Sequence, residues 1–315
     1  MILTITLNPS VDINYKLDEL SIDNVNRTEN VGKTAGGKGL NVASVLAQLG
    51  EIVSASGFLG GSLGDFIRKE IAKIGIQDLF VEISEDTRNC IAIIHDGKQT
   101  EILENGPTIK EEEGNLFLQK FTETVKKSIV ITISGSLPKG IDEEYYNRLL
   151  EIANHFNKPV FLDTKGSLLL KTLVNKVKPY LIKPNQQELE DLLDIKFRND
   201  EDIYAALQDD LFDGVEWVVI TLGADGAIVK NRNHMYHARI PKIEAVNPVG
   251  SGDSVIAGFA AGFSQGLTDE AFIKYGLAMG TLNAMEEKTG NINSDKIDWC
   301  LDSIYVEKIE YVKTS

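Results

Sequence analysis

The chain is poor in cysteine: only Cys90 and Cys300 occur among 315 residues, far apart in sequence. With no disulfide framework and no CxxC pair, it fits a reducing cytoplasm. Long apolar runs are missing too. No stretch reaches the roughly 18 residues that a membrane-spanning helix needs, so no membrane partner is expected. The opening MILTITLNPS has neither a basic flank nor a small-residue cleavage site, and it reads as a first strand rather than a signal peptide. Positive charge is short: 32 Lys and Arg face 47 Asp and Glu, a formal net charge of −15. A nucleic-acid backbone would be repelled by that excess, so general nucleic-acid binding is not expected. A small phosphorylated substrate is still admissible, because a few local cations can reverse the field inside one cleft.

Several familiar loops are absent. Gly32-Lys33-Thr34 ends like a Walker A loop, but the first glycine of GxxxxGK[ST] would have to be Arg27. Gly60-Gly61-Ser62-Leu63-Gly64 lacks the spacing of a dinucleotide GxGxxG. The four histidines (His95, His155, His234 and His237) show no HExxH or zinc-ligand spacing, and they read as surface or structural residues. No GxSxG nucleophile elbow occurs. Nor is there a repeat, a low-complexity tract or a Pro/Ser-rich linker. One domain over residues 1–315 is therefore expected, carrying a small lid.

What is present is alternation. Short, β-branched, nearly continuous apolar runs at 2–7, 52–59, 129–134, 159–163, 180–183 and 217–222 predict buried strands. Helical patterns at 40–49, 65–74, 142–156 and 186–193 lie between them, with Gly50 and Gly75 placed as C-terminal caps. The pattern predicts an α/β fold: a Rossmann-like αβα sandwich around a mainly parallel sheet. Residues 12–34 and 88–104 instead alternate apolar with polar, and Asp96-Gly97 is a hairpin signal. They read as antiparallel strands outside the main sheet, forming a small β-sheet lid; an edge extension of the main sheet would give the same pattern.

Three segments can carry chemistry. In NPVGSGD, Gly250, Ser251, Gly252 and Asp253 open a helix rich in small residues. Inward-turned amides and a helix N-terminus make an anion hole, and an aspartate at its mouth can take a proton from an incoming hydroxyl. A plain N-cap aspartate would look similar. In AGGKGLN, Gly37, Lys38 and Asn41 offer the paired donors and acceptors that a polyhydroxylated ligand needs, as does Asp12 after the first strand. A glycine-rich turn with a solvated lysine, and a turn aspartate, are the plainer readings. In KPNQQE, Asn185 and Glu188 have capping-box spacing and could also order Mg²⁺ and its waters. The turn TLGADG could receive a nucleotide. Arg27 and Arg88 belong to the expected lid; arginine forks onto phosphate, although either could merely pair with a surface carboxylate.

Taken together and in this order, TAGGKGLN, KPNQQE, TLGADG and NPVGSGDS resemble the PfkB branch of the ribokinase-like carbohydrate kinases. The resemblance covers essentially the whole chain. It implies a ribokinase-like fold, ATP and Mg²⁺ as cofactors, and a β-lid that packs against a second subunit's lid in a homodimer. By motif match it makes Asp253 the base and Gly250–Asp253 the anion hole. Asp12, Gly37, Lys38 and Asn41 would hold the sugar, and Arg27 and Arg88 its existing phosphate. Lys183, Asn185, Glu188, Thr221, Gly223 and Gly226 would line the ATP and Mg²⁺ side, with Asn283 near adenine. The opening TLNPSVD and the segment TRNC at 87–90 imply a phosphorylated ketohexose as acceptor: tagatose 6-phosphate first, fructose 1-phosphate second.

Overall fold

In the computed structural model, which describes residues 1–232 and 234–310, every predicted buried run becomes a strand of one sheet. Side by side lie Tyr305–Ile309, His234–Arg239, Ala227–Asn231, Trp217–Thr221, Leu181–Ile182, Val160–Asp163, Val130–Ser134, Ile2–Thr6, Val53–Leu59 and Gln77–Asp78. Val81–Glu82 also pairs with Val53–Leu59. From Trp217–Thr221 to Gln77–Asp78 every pairing is parallel. The last three strands, beyond Trp217–Thr221, are antiparallel.

Alternation along each strand feeds two cores. Val130, Phe161, Leu181 and Trp217 face the helices Lys38–Gln48, Ser251–Ser264 and Asp269–Ala284. Ile131, Leu162, Ile182 and Val218 face Glu111–Val125, Tyr145–His155 and Gly166–Val174. Each fully buried Leu, Ile or Phe contributes about 1.5–3 kcal/mol, so covering both faces is what holds the sheet. Small residues matter at one contact: Ala257, Gly258, Ala260 and Ala261 let Ser251–Ser264 pack closely against its neighbours in the core.

A second sheet of four strands, ordered Val31–Gly36, Ser10–Lys16, Arg88–His95 and Lys98–Leu103, stands apart. It is the predicted lid, with one correction. Ser10–Lys16 runs antiparallel to Val31–Gly36 but parallel to Arg88–His95, because the chain crosses the main sheet between them. The hairpin at Asp96-Gly97 has φ of 48° and 66°, the left-handed pair that a tight two-residue turn needs.

Candidate active site

The carboxyl ends of the parallel strands and the small sheet enclose a cavity of about 930 Å³. Open α/β sheets bind their ligands at this edge. Thr6, Ser134, Asp163, Lys183 and Thr221, all at or just past strand ends, line it from below. Asp12 and Arg88 line it from the small sheet, and Gly250, Gly252 and Asp253 from the start of the helix Ser251–Ser264.

Asp253 is not a capping residue. The N-cap is Gly250, with no side-chain capping bond, and the Asp253 carboxylate turns inward, 6% exposed. Asn41 Nδ2 donates to its Oδ2 at 2.8 Å. Asn41 sits in the first turn of the helix Lys38–Gln48, which Lys38 opens after the N-cap Gly37. Burial, and next the charge of Asp163, push the Asp253 carboxyl up to about 7, against the pull of Lys38, Asn41 and Lys183. A carboxyl that titrates near neutrality inside a cleft is a candidate proton acceptor.

Asp163 was not foreseen. It ends the strand Val160–Asp163, is 2% exposed, and lies 3.2 Å from Lys38 Nζ and 3.5 Å from Lys183 Nζ. Burial alone would raise its carboxyl, but the two ammonium groups outweigh burial and hold it below the ordinary carboxylate value. The same charge raises the Lys38 ammonium against the opposing effect of burial. The available signal was a charged residue closing an otherwise apolar strand, since buried charges are paired. Asp12 accepts from Ser10 Oγ at 2.7 Å, and burial keeps its carboxyl raised.

The expected site residues divide. Asp12, Gly37, Lys38, Asn41, Arg88, Lys183, Asn185, Glu188, Thr221, Gly250, Gly252 and Asp253 all line the one cavity. Asn185 and Glu188 form the expected capping box: Asn185 Oδ1 accepts from Glu188 N at 2.8 Å, and Asn185 N donates to Glu188 Oε2 at 3.0 Å. Arg27 does not join them. It lies exposed on the connection between Ser10–Lys16 and Val31–Gly36 and is not on the cavity wall. Asn283 is not on the wall either; it is fully buried, donating to Val249 O at 3.0 Å and accepting from Gly290 N at 2.9 Å. Its amide braces the glycine loop from behind. The Ser251 N–H is taken by Pro248 O at 3.2 Å, which leaves fewer amides for an anion than the motif implied. Gly223 and Gly226 form a turn off the wall, where Gly226 packs against the backbone of Ala238.

Among the described residues, no group of three or more His, Cys, Asp or Glu side chains could cage a metal. No helix among them is long and apolar enough to cross a membrane. The profile of the pfkB family carbohydrate kinases matches residues 5–296. Tagatose-6-phosphate kinase of Staphylococcus epidermidis is 47% identical over 310 residues, covering 98% of this chain and all of that one. A Staphylococcus aureus structure assigned as a phosphofructokinase superposes with a TM-score of 0.85 at 33% identity, over 98% of this chain and 99% of that one. Phosphofructokinase-2 of Escherichia coli, solved with potassium, gives a TM-score of 0.89 at 25% identity over 96% and 98%. With the motifs spread along one cleft and a match that spans nearly its whole length, the chain belongs to the pfkB family of carbohydrate kinases and is an ATP-dependent sugar-phosphate kinase.

Proposed function

We propose that the enzyme transfers the γ-phosphoryl group of ATP to the 1-hydroxyl of D-tagatose 6-phosphate, giving tagatose 1,6-bisphosphate and ADP. The observation that carries the mechanism is the buried Asp253 carboxylate, held by Asn41 in the first turn of a glycine-led helix. Asp253 accepts the hydroxyl proton while the alcohol oxygen attacks phosphorus, and ADP leaves. The first-turn amides of an α-helix have no intrahelical partner. Those of Gly252 and Asp253 would face the charge that develops on the transferred group. Asp12, Lys38 and Asn41 would orient the sugar, and Arg88 would grip its 6-phosphate. Closure of the small sheet over the cleft would exclude water and limit idle ATP hydrolysis.

The residues present suit Mg²⁺ that arrives with the nucleotide. Mg²⁺ keeps several waters and is normally held by one or two carboxylates plus substrate phosphates, not by a protein cage. Glu188, which lines the cavity wall, has one carboxylate oxygen committed to the capping box and the other available. Bound there, Mg²⁺ would neutralise phosphate charge.

The choice of tagatose 6-phosphate rests on the 47% identical relative that bears that name. Exposed Val31, Ile102 and Leu103 on the outer strands of the small sheet support a homodimer formed through it, and the cysteine pattern supports a cytoplasmic setting. A coupled ADP-release assay tests the reaction, with tagatose 6-phosphate, fructose 1-phosphate and free ketohexoses compared side by side. The expected result is the highest kcat/KM for tagatose 6-phosphate. A higher value for fructose 1-phosphate would reassign the acceptor, and turnover with none of them would point to a non-catalytic sugar sensor.

A further inference from the structure

The cavity wall contains a buried side-chain amide outside the catalytic loop. Asn8, 6% exposed, follows the first strand. Its Nδ2 donates to the carbonyl of Asn105 at 3.3 Å and to Ser136 Oγ at 3.4 Å. Its own main-chain carbonyl accepts from Arg88 Nη2 at 3.0 Å. Arg88 Nη1 donates in turn to the carbonyl of Glu104 at 2.7 Å. The guanidinium is therefore strung between two backbone segments, and the Asn8 side chain ties those same segments together one residue further on. The joint is tight. Gly106 has φ of +87°, and a Cβ there would lie 2.2 Å from Asn8 Oδ1. Arg88 Nε and Asn8 Oδ1 are both buried with no hydrogen-bond partner among the described residues. An unpaired buried donor on a guanidinium is costly, and an anionic oxygen of a ligand would satisfy it.

We propose that Asn8 is a positioning residue for the phosphate that the sugar already carries. It holds residues 104–106, where the chain leaves the small sheet, against the end of the first strand. That contact fixes the aim of Arg88. The inference rests on the reading that Arg88 grips the 6-phosphate, and its test separates the two.

The test is a kinetic cycle of wild type, Asn8→Ala, Arg88→Ala and the double variant, varying sugar phosphate and ATP in turn. Arg88→Ala should raise KM for the sugar phosphate about 100-fold, as loss of a charge-assisted pair does. Asn8→Ala should raise the same KM about tenfold, the effect of losing one or two ordinary hydrogen bonds, and leave KM for ATP in place. On the Arg88→Ala background it should add little. Asn8→Asp should be worse than Asn8→Ala: both lose the donor to Asn105, and the carboxylate is in addition repelled by the Asn105 carbonyl and by phosphate. An unchanged KM in Arg88→Ala removes the phosphate role of Arg88 itself. A raised KM there with no effect of Asn8→Ala removes only the role of Asn8. Equal effects on both substrates, or full additivity, would leave Asn8 a fold residue. Should Asn8→Ala not fold, Asn8→Ser keeps one donor and enters the same cycle, with a smaller rise in KM expected.

Discussion

The side-chain amide of Asn41 donates a 2.8 Å hydrogen bond to Oδ2 of Asp253, joining the first turns of two helices that are far apart in sequence. One carboxylate oxygen is thereby fixed, and in the proposed mechanism the other takes the substrate proton. The bond also favours the charged form, against the larger effect of burial. The compromise leaves Asp253 titrating near 7, where a carboxyl is partly ionised at neutral pH and basic enough for the proton transfer proposed.

Asp253→Asn should lower kcat about 10²–10⁴-fold, the usual worth of a positioned general base. Wild-type kcat/KM should rise with pH and level off above about 7. Stability should move the other way. The folded carboxyl titrates near 7 and the unfolded one near 3.8, so the folded state holds more protons in that window and loses stability as pH rises through it. Asn carries no such penalty, which is on the order of a few kcal/mol. The variant should therefore melt higher than wild type at pH 8, and the gap should close toward pH 4. Near-normal turnover by Asp253→Asn would remove the residue from the mechanism.

How much of this was legible in the sequence depends on how locally each feature is encoded. Val130–Ser134 and Trp217–Thr221 were readable because a strand buried on both faces is a short, β-branched and nearly continuous apolar run. Asn185 and Glu188 were readable because a capping box spans four residues. Asp163 was not. Its meaning comes from Lys183, which follows the strand paired parallel to Val160–Asp163, and from Lys38 at the start of a helix, and no spacing announces either. The parallel pairing within the small sheet failed for the same reason: a hairpin signal gives Arg88–His95 its partner Lys98–Leu103, but not its other neighbour. Asn283 and Arg27 lie off the cavity wall, because a motif supplies a position along the chain, not a direction in space.

Asp163→Asn should shift the acid limb of the pH–rate profile to lower pH. The Asp163 charge is the second largest influence raising Asp253, after burial. Its removal also frees Lys38 and Lys183 to favour the Asp253 carboxylate, so both changes act in one direction. The variant should be less stable, because Lys183, 5% exposed, would keep a buried charge without its partner. Breaking a buried pair in this way costs about 3–5 kcal/mol. Asp163 itself titrates below 3.8 when folded, so its stabilisation is present above that value and lost as pH falls further. The difference in melting temperature between wild type and variant should thus be full at neutral pH and shrink in strong acid. An unmoved acid limb would mean that Asp163 does not tune the base.

Gly250→Ala tests the loop itself. Gly250 has φ of +81°, where a Cβ is strained, and the added carbon would lie 2.3 Å from Thr289 Cγ2. Relief requires the turn to move, and the amides behind it move too. If those amides stabilise the transferred group, kcat should fall about 10²–10³-fold, the range seen when one donor to a developing charge is lost. KM for the sugar phosphate should change less, because Asp12, Lys38 and Arg88 stand on other elements. Gly252→Ala is the milder comparison: it has no positive φ, and its Cβ would meet Nζ of Lys183, the ammonium paired with Asp163, at 3.0 Å without touching backbone. It should cost less activity than Gly250→Ala. Melting curves for both variants separate a damaged turn from a collapsed fold. Equal and mild losses in two well-folded variants would mean that the loop serves as a cap and that the charge on phosphorus is met elsewhere.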